Sequence, residues 1–248
     1  MRQFVSDIDE ILREEKKPIS REMQESLNRY GQEGIFITGA PLSHVPQELF
    51  MLQAATILAE HGAVKWRRGQ NNVVSGARDI EIIRKKLGIS INDGFQEMDE
   101  HCSVIIEGPR TSSLTFLFGA PPHYPFCATA NRESIKDKIQ DIIQEDGLSV
   151  SIYQGEDKVY TWLDLITSTK KDAIQQLIID GTLSAPFFYI GDKENDLEVM
   201  QLEEVVPVAF PNCICDIISL ARQRGIYIDC LPYEGGVSKF FAQINGKP

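Results

Sequence analysis

Arg2-Gln3-Phe4-Val5-Ser6-Asp7-Ile8-Asp9-Glu10-Ile11-Leu12 is a short apolar run that ends in two carboxylates, Asp7 and Asp9, separated by one isoleucine. With Phe4 and Val5 in a buried parallel strand, Asp7 and Asp9 stand at its carboxyl end, the edge at which open α/β sheets bind their ligands. Two unpaired acids there repel each other, so the arrangement calls for a cation. By itself the spacing is more often that of a solvated loop after a strand. The choice turns on whether the rest of the chain supplies what a metal ion and a phosphate need.

Working outward, the chain alternates. Pro18-Ile19-Ser20 leads into a helix with Ser20 as N-cap and Met23, Leu27 and Tyr30 on one face, closed by Gly31 and Gly34. Ile35-Phe36-Ile37 is a second buried strand, ending in the tight turn Thr38-Gly39-Ala40-Pro41. A helix is expected over residues 48–60 from Leu49, Leu52, Ala55 and Ala59, followed by His61-Gly62 and a short strand at 63–66. This βαβαβ order predicts a parallel sheet with right-handed crossovers.

Residues 76–157 have a different character. Helices are expected at 79–87 and 132–144 and strands at 103–107, 113–118 and 148–153, joined by loops such as Gly108-Pro109-Arg110-Thr111. Short strands linked in this way suggest an antiparallel α+β insert. Pro121-Pro122-His123-Tyr124-Pro125 is a loop that no central strand could contain.

Alternation resumes with a strand at 160–166, then Thr167-Ser168-Thr169 and a helix opening at Lys170-Lys171 with Ala173, Ile174, Leu177 and Ile178 facing inward. A strand at 186–190 ends in Gly191-Asp192-Lys193-Glu194-Asn195-Asp196, before a helix through Leu197 and Met200. A strand at 205–210, a helix at 214–222 and a strand at 225–229 follow, and Tyr233-Glu234-Gly235-Gly236-Val237 opens the last helix. The expected fold class is α/β: a Rossmann-like parallel-sheet core from residues 1–75 and 158–248, with an inserted α+β domain at 76–157.

Composition narrows the function. With 248 residues, 42% hydrophobic and 25% charged, the chain can bury a full core and reads as an ordinary globular protein. No apolar run reaches the length of a membrane span and the start lacks a secretory pattern, so a cytoplasmic protein with no membrane partner is expected. A net charge of -11 argues against a nucleic-acid partner, which needs a basic surface. Cys102, Cys127, Cys213, Cys215 and Cys230 are scattered and odd in number, as reduced thiols are. No pattern encodes an oligomeric state, so a homo-oligomer stays open.

Three strand ends therefore offer oxygen ligands: Asp7 with Asp9, Thr38, and Asp192 with Asn195 and Asp196. In a parallel sheet these ends share one edge. Magnesium takes hard oxygen ligands and needs only one or two protein carboxylates beside a substrate phosphate. Lys170 or Lys171, at a helix start, offers the counter-charge for a phosphoryl group.

These residues resemble the motifs of the haloacid dehalogenase-like phosphohydrolases, in the branch with a large α/β cap inserted after the second motif, alongside sucrose-phosphate phosphatase-like enzymes and eukaryotic phosphomannomutases. Val5-Ser6-Asp7-Ile8-Asp9, Ile37-Thr38-Gly39, Lys170 and Gly191-Asp192-Lys193-Glu194-Asn195-Asp196-Leu197 carry the four motifs in order, joined by Glu60-His61-Gly62-Ala63 and Glu234-Gly235-Gly236-Val237. The resemblance implies Asp7 as the nucleophile that forms an aspartyl-phosphate, and Asp9 as the acid and base that also binds the metal through its main-chain carbonyl. It implies that Thr38, Gly39 and Lys170 bind phosphate, and that Asp7, Asp9 and Asp192 hold Mg2+ with Asn195 and Asp196 in support. Lys170 is preferred to Lys171 because Asp172-Ala173-Ile174 follows it in the family's manner.

Two departures stand out: Glu10-Ile11 replaces the usual Gly-Thr after the second acid, and Ala40 replaces an arginine after Thr38-Gly39. The implied function is a magnesium-dependent phosphatase acting on a small phosphorylated metabolite, a sugar phosphate foremost, with the cap closing over it. A phosphomutase of the same fold and a catalytically idle binding subunit are the alternatives. In the insert, Arg110 and His123 are read as surface residues before substrate readers, and Trp66 and Trp162 as packing residues.

Overall fold

The computed structural model describes residues 3–14, 17–70, 72–88, 95–99, 102–105, 110–118, 129–156 and 161–246. The elements run β1 Phe4–Asp7, α1 Arg21–Tyr30, β2 Ile35–Ile37, α2 Gln47–Met51, β3 Thr56–Ala59, β4 Val64–Arg67, β5 Val73–Val74, α3 Ala77–Lys86, β6 Phe95–Asp99, β7 Cys102–Ile105, β8 Ser113–Phe118 and α4 Thr129–Asp146. They continue with β9 Ser151–Glu156, β10 Thr161–Ile166, α5 Lys170–Ile179, β11 Phe187–Ile190, α6 Glu194–Met200, β12 Val205–Ala209, α7 Cys215–Arg224, β13 Ile226–Tyr227 and α8 Gly236–Ile244. They form two compact units, one of Met1–Ala40, His44–Val73 and Thr169–Pro248, the other of Pro41–Ser43 and Val74–Ser168.

The first unit is built on an eight-stranded sheet of order β13-β12-β11-β1-β2-β3-β4-β5. Strands from β13 to β3 pair in parallel, with Val5 opposite both Tyr189 of β11 and Ile35 of β2. All four residues of β1 and of β11 and all three of β2 are buried, as strands covered on both faces must be. The chain leaves β1 toward β2 and β3 on one side and returns through β11, β12 and β13 on the other. β1 is thus the point at which strand order reverses, where doubly wound sheets open a crevice at their carboxyl ends.

Local chemistry supports this frame. Ser20 caps α1, its hydroxyl accepting from the Met23 N–H at 3.2 Å, and Met23 and Leu27 face the core. The Phe4 ring meets Phe241 of α8 edge-on at 5.1 Å and Phe36 at 5.9 Å, while Phe188 meets Phe240 at 5.3 Å. These rings join the sheet to α8, and Trp66 packs edge-on against Phe50 at 4.8 Å.

Three sequence expectations change. The helix expected over 48–60 is the five-residue α2 followed by β3, because Ala55 to Ala59 is buried throughout, and uniform burial belongs to a central strand rather than a one-faced helix. The strand expected at 63–66 runs antiparallel to β3, since the tight Glu60–Gly62 turn between them is too short for a parallel crossover. The strand expected at 160–166 as a core element is β10, which pairs antiparallel with β8 and β9 in the second unit. Its alternation of buried Leu163 and Leu165 with half-buried Asp164 is the mark of a sheet covered on one face. The junction on this side accordingly falls at Ser168 and Thr169 rather than at 157 and 158.

The second unit carries a five-stranded sheet of order β6-β7-β8-β10-β9, all of whose paired strands are antiparallel. α3 and α4 pack on it through a core including Ile80, Ile83, Leu114, Phe116, Ile139 and Leu163. Arg110, expected at the surface, is 6% exposed and donates to the Ser113 hydroxyl at 3.0 Å, while its carbonyl accepts from buried Arg84. His123, the loop at 121–125, Cys127 and the side chains of Cys102 and Trp162 lie outside the described residues. Among the described residues no helix is long and apolar enough to cross a membrane.

Candidate active site

Asp7 closes β1, and the register sets it opposite Ile37, with Ser6 opposite Ile190. Thr38 and Gly191 therefore follow at neighbouring strand ends, and α5 and α6 begin close by. From these separate segments four buried side chains meet: Asp7, Lys170, Asp192 and Asp196.

Lys170, the first residue of α5, is 2% exposed. Its ammonium lies 3.0 Å from Asp7 Oδ2 and donates to Asp196 Oδ1 at 2.7 Å. The helix start is fixed by Thr169, whose hydroxyl accepts from the Asp172 N–H at 3.0 Å while the Asp172 carboxylate accepts from the Thr169 N–H at 3.1 Å. Lys171, one residue on, is half-buried and makes no such pair among the described residues. Of the two lysines, Lys170 is the one buried between two carboxylates.

Asp196 is fully buried and held by four donors. Its Oδ1 also accepts from the Tyr189 hydroxyl at 2.7 Å, and its Oδ2 accepts from the Asp192 and Lys193 N–H groups at 3.2 and 3.3 Å. Gly191 makes room for it: a Cβ there would fall 2.4 Å from Asp196 Cγ. Asp192 has its carbonyl tied to the Ile214 N–H at 3.0 Å, yet its Oδ1 is buried without a hydrogen-bond partner among the described residues, as is Asn195 Oδ1.

Asp7, Asp192 and Asp196 each bring a carboxylate oxygen within 4.8 Å of the others. Against Lys170 alone, the three acids leave two negative charges uncompensated when all are ionised. Burial, reinforced by Asp196 and Asp192 and opposed by Lys170, pushes the Asp7 carboxyl up to about 8. Burial and then Asp196 push Asp192 up to about 6, against the pull of Lys193 and Lys170. For Lys170 burial opposes the charge, but Asp196 and Asp7 outweigh it and hold the ammonium above the usual lysine range. A buried, oxygen-only, over-negative cluster with an unpartnered carboxylate oxygen fits a hard divalent cation.

The other expected residues stand as follows. Thr38 is buried, its hydroxyl accepting from the Ala40 N–H at 3.0 Å and its carbonyl from the His61 N–H at 2.9 Å. Gly39 lies close to its neighbour: a Cβ there would fall 2.7 Å from the His61 ring, which would have to move. Asp9 is outside the carboxylate cluster; its Oδ1 accepts from Arg13 Nε at 2.8 Å. Glu10 adopts φ 60°, and its carbonyl accepts from Asn212 Nδ2 at 2.9 Å.

Tyr189, Arg13 and Asn212 went unremarked in the sequence. A tyrosine inside the otherwise hydrocarbon strand Phe187–Ile190 signals a buried hydroxyl that needs a partner. Arg13 was visible only as a basic residue four places after Asp9, and Asn212 carried no local signal.

No protein-family model matches the sequence, and no curated protein sequence matches it. Solved structures do. A haloacid dehalogenase-like hydrolase from Bacteroides thetaiotaomicron matches with a TM-score of 0.66 at 16% identity, covering 98% of this chain and 99% of that one. A sugar phosphatase of haloacid dehalogenase subclass IIB matches with a TM-score of 0.58 at 16% identity over 99% of both chains. A trehalose-6-phosphate phosphatase related protein matches with a TM-score of 0.61 at 14% identity, over 98% of this chain and 99% of that one. At these identities the likeness is one of fold, and it extends over nearly the whole length.

Proposed function

We propose that this chain, which has the haloacid dehalogenase-like fold with an inserted second unit, is a magnesium-dependent phosphatase that hydrolyses a small phosphorylated metabolite, a sugar phosphate foremost, in the cytoplasm. The observation that carries the reading is the buried meeting of Asp7, Asp192 and Asp196 with Lys170, in which Asp192 Oδ1 has no protein partner among the described residues. Structural neighbours that include a sugar phosphatase and a trehalose-6-phosphate phosphatase related protein support the substrate class. The net charge of -11 favours a free small molecule over a nucleic acid.

Asp7 and Asp192, with the Asp9 carbonyl, would hold Mg2+, while Asp196 is occupied in fixing Lys170. When bound, the ion screens the charge of Asp7 and of the phosphate. Ionised Asp7 attacks phosphorus, its carboxylate oxygen forming the new bond as the bond to the leaving oxygen breaks. Asp9 delivers a proton to that oxygen, then takes one from the water that hydrolyses the aspartyl-phosphate and regenerates Asp7. Lys170 and Thr38 bind the phosphoryl oxygens, and Lys170 offsets their charge.

The test is phosphate release from a panel of sugar phosphates with and without magnesium, alongside Asp7→Asn. Release that depends on magnesium and disappears in Asp7→Asn is expected. No release from any substrate together with no magnesium binding would reject the reading, and interconversion of hexose phosphates without net release would turn it toward a mutase.

A further inference from the structure

Residues 8–13 form a tight turn rather than the start of a helix. Ile8, Ile11 and Leu12 are buried, the Leu12 N–H donates to the Ile8 carbonyl at 2.9 Å, and Glu10 takes φ 60°. This closes the chain on itself, so that Asp9 and Arg13 form a backbone bridge. The guanidinium is then fixed at both ends: Nε donates to Asp9 Oδ1 at 2.8 Å, and Nη2 donates to the His44 carbonyl at 3.1 Å. The Arg13 and Asp9 side chains are only 14% and 28% exposed.

An exposed i,i+4 ion pair adds little to stability, but a guanidinium anchored twice fixes the direction of a carboxylate. Without that anchor the Asp9 side chain, 28% exposed, could turn to another rotamer. We infer that Arg13 is a positioning residue for Asp9: it donates to Oδ1 and so leaves Oδ2 as the oxygen that carries the proton and passes it to the leaving oxygen of the substrate. This rests on the phosphatase reading. Proton transfer requires heavy atoms about 2.6–3.2 Å apart, so loss of the anchor costs rate only where the leaving group needs a proton.

Phenyl phosphate and p-nitrophenyl phosphate have nearly the same shape, but phenoxide leaves with difficulty unless protonated and p-nitrophenoxide does not. kcat/KM reports events up to cleavage of that bond. With magnesium present, Arg13→Ala is expected to lower kcat/KM for phenyl phosphate roughly ten- to a hundredfold and for p-nitrophenyl phosphate less than about threefold. Arg13→Lys should recover part of the loss, and Arg13→Ala should add nothing in an Asp9→Asn background. Arg13→Gln, which keeps most of the side chain's bulk, serves if the alanine variant does not fold. Equal losses on both substrates, or a loss that persists beside Asp9→Asn, would overturn the role of Arg13 alone. No turnover by the unaltered protein would overturn the phosphatase reading and this role with it.

Discussion

Replacing Lys170 with methionine probes the centre of the site, because it removes the shared partner of two buried carboxylates. Lys170 and Asp196 are 2% and 0% exposed at the side chain and Asp7 is 10%. After the substitution Asp196 keeps the Tyr189 hydroxyl and two backbone N–H groups, but Asp7 keeps only the Ile8 N–H at 2.9 Å among the described bonds. Breaking a buried pair by removing one partner costs about 3–5 kcal/mol. At roughly 2–4 °C per kcal/mol in a chain of this size, the melting temperature should fall by about 10 °C at pH 8.

The loss should depend on pH with a definite sign. A carboxylate whose pKa is raised on folding binds its proton more tightly in the folded state, so its contribution is present at low pH and lost as pH rises. For Asp7 in the unaltered protein that window runs from 3.8 to about 8. Removing Lys170 takes away the charge that pulls Asp7 down, moving the upper limit higher and deepening the loss in alkali. Circular dichroism melts in EDTA at pH 5 and pH 8 measure both effects. A drop below about 3 °C at pH 8, or one of the same size at both pH values, would refute the buried-pair account.

Magnesium at a hundred times its Kd should stabilise the protein by about 2.7 kcal/mol, and Asp192→Ala should abolish the gain; an undiminished gain in melts with MgCl2 against EDTA would remove Asp192 from the cation site. Gly191→Ala forces a Cβ to 2.4 Å from Asp196 Cγ and should lower stability by about 1–3 kcal/mol, an outcome excluded if the urea midpoint is unchanged. Burial pushes the Cys213 thiol up to about 12, so at pH 8.5 iodoacetamide should label exposed Cys215 well before Cys213; peptide mass spectrometry showing the reverse order would contradict this.

The parallel core was legible because its strands are short, mostly apolar and followed at their carboxyl ends by Asp7, Thr38 and Asp192, and a strand buried on both faces writes itself as such a run. The same property hid β3. Ala55 to Ala59 fits a buried helix as well as a buried strand, and spacing cannot separate them. β10 belongs to the antiparallel sheet of the second unit, and the sign of this in the sequence is the alternation of Leu163 and Leu165 with Asp164. At the candidate site, the order of Asp7, Lys170, Asp192 and Asp196 along the chain is legible, and the structure brings these four side chains together. The groups that orient them, Tyr189 under Asp196 and Arg13 beside Asp9, act through contacts that depend on tertiary geometry.

The place of β1 between β2 and β11 also bears on how the protein is made. Phe4 pairs with Phe188, so one neighbour of the central strand is translated long after the other. At about 5–20 residues per second the interval is roughly ten to forty seconds, during which β1 is an open edge with apolar faces. Val74–Ser168, the larger segment of the second unit, is translated within that interval. A nascent chain that stops before β11 should therefore need a chaperone to stay in solution. Monodisperse behaviour of a released 1–185 fragment would show that β1 finds another cover.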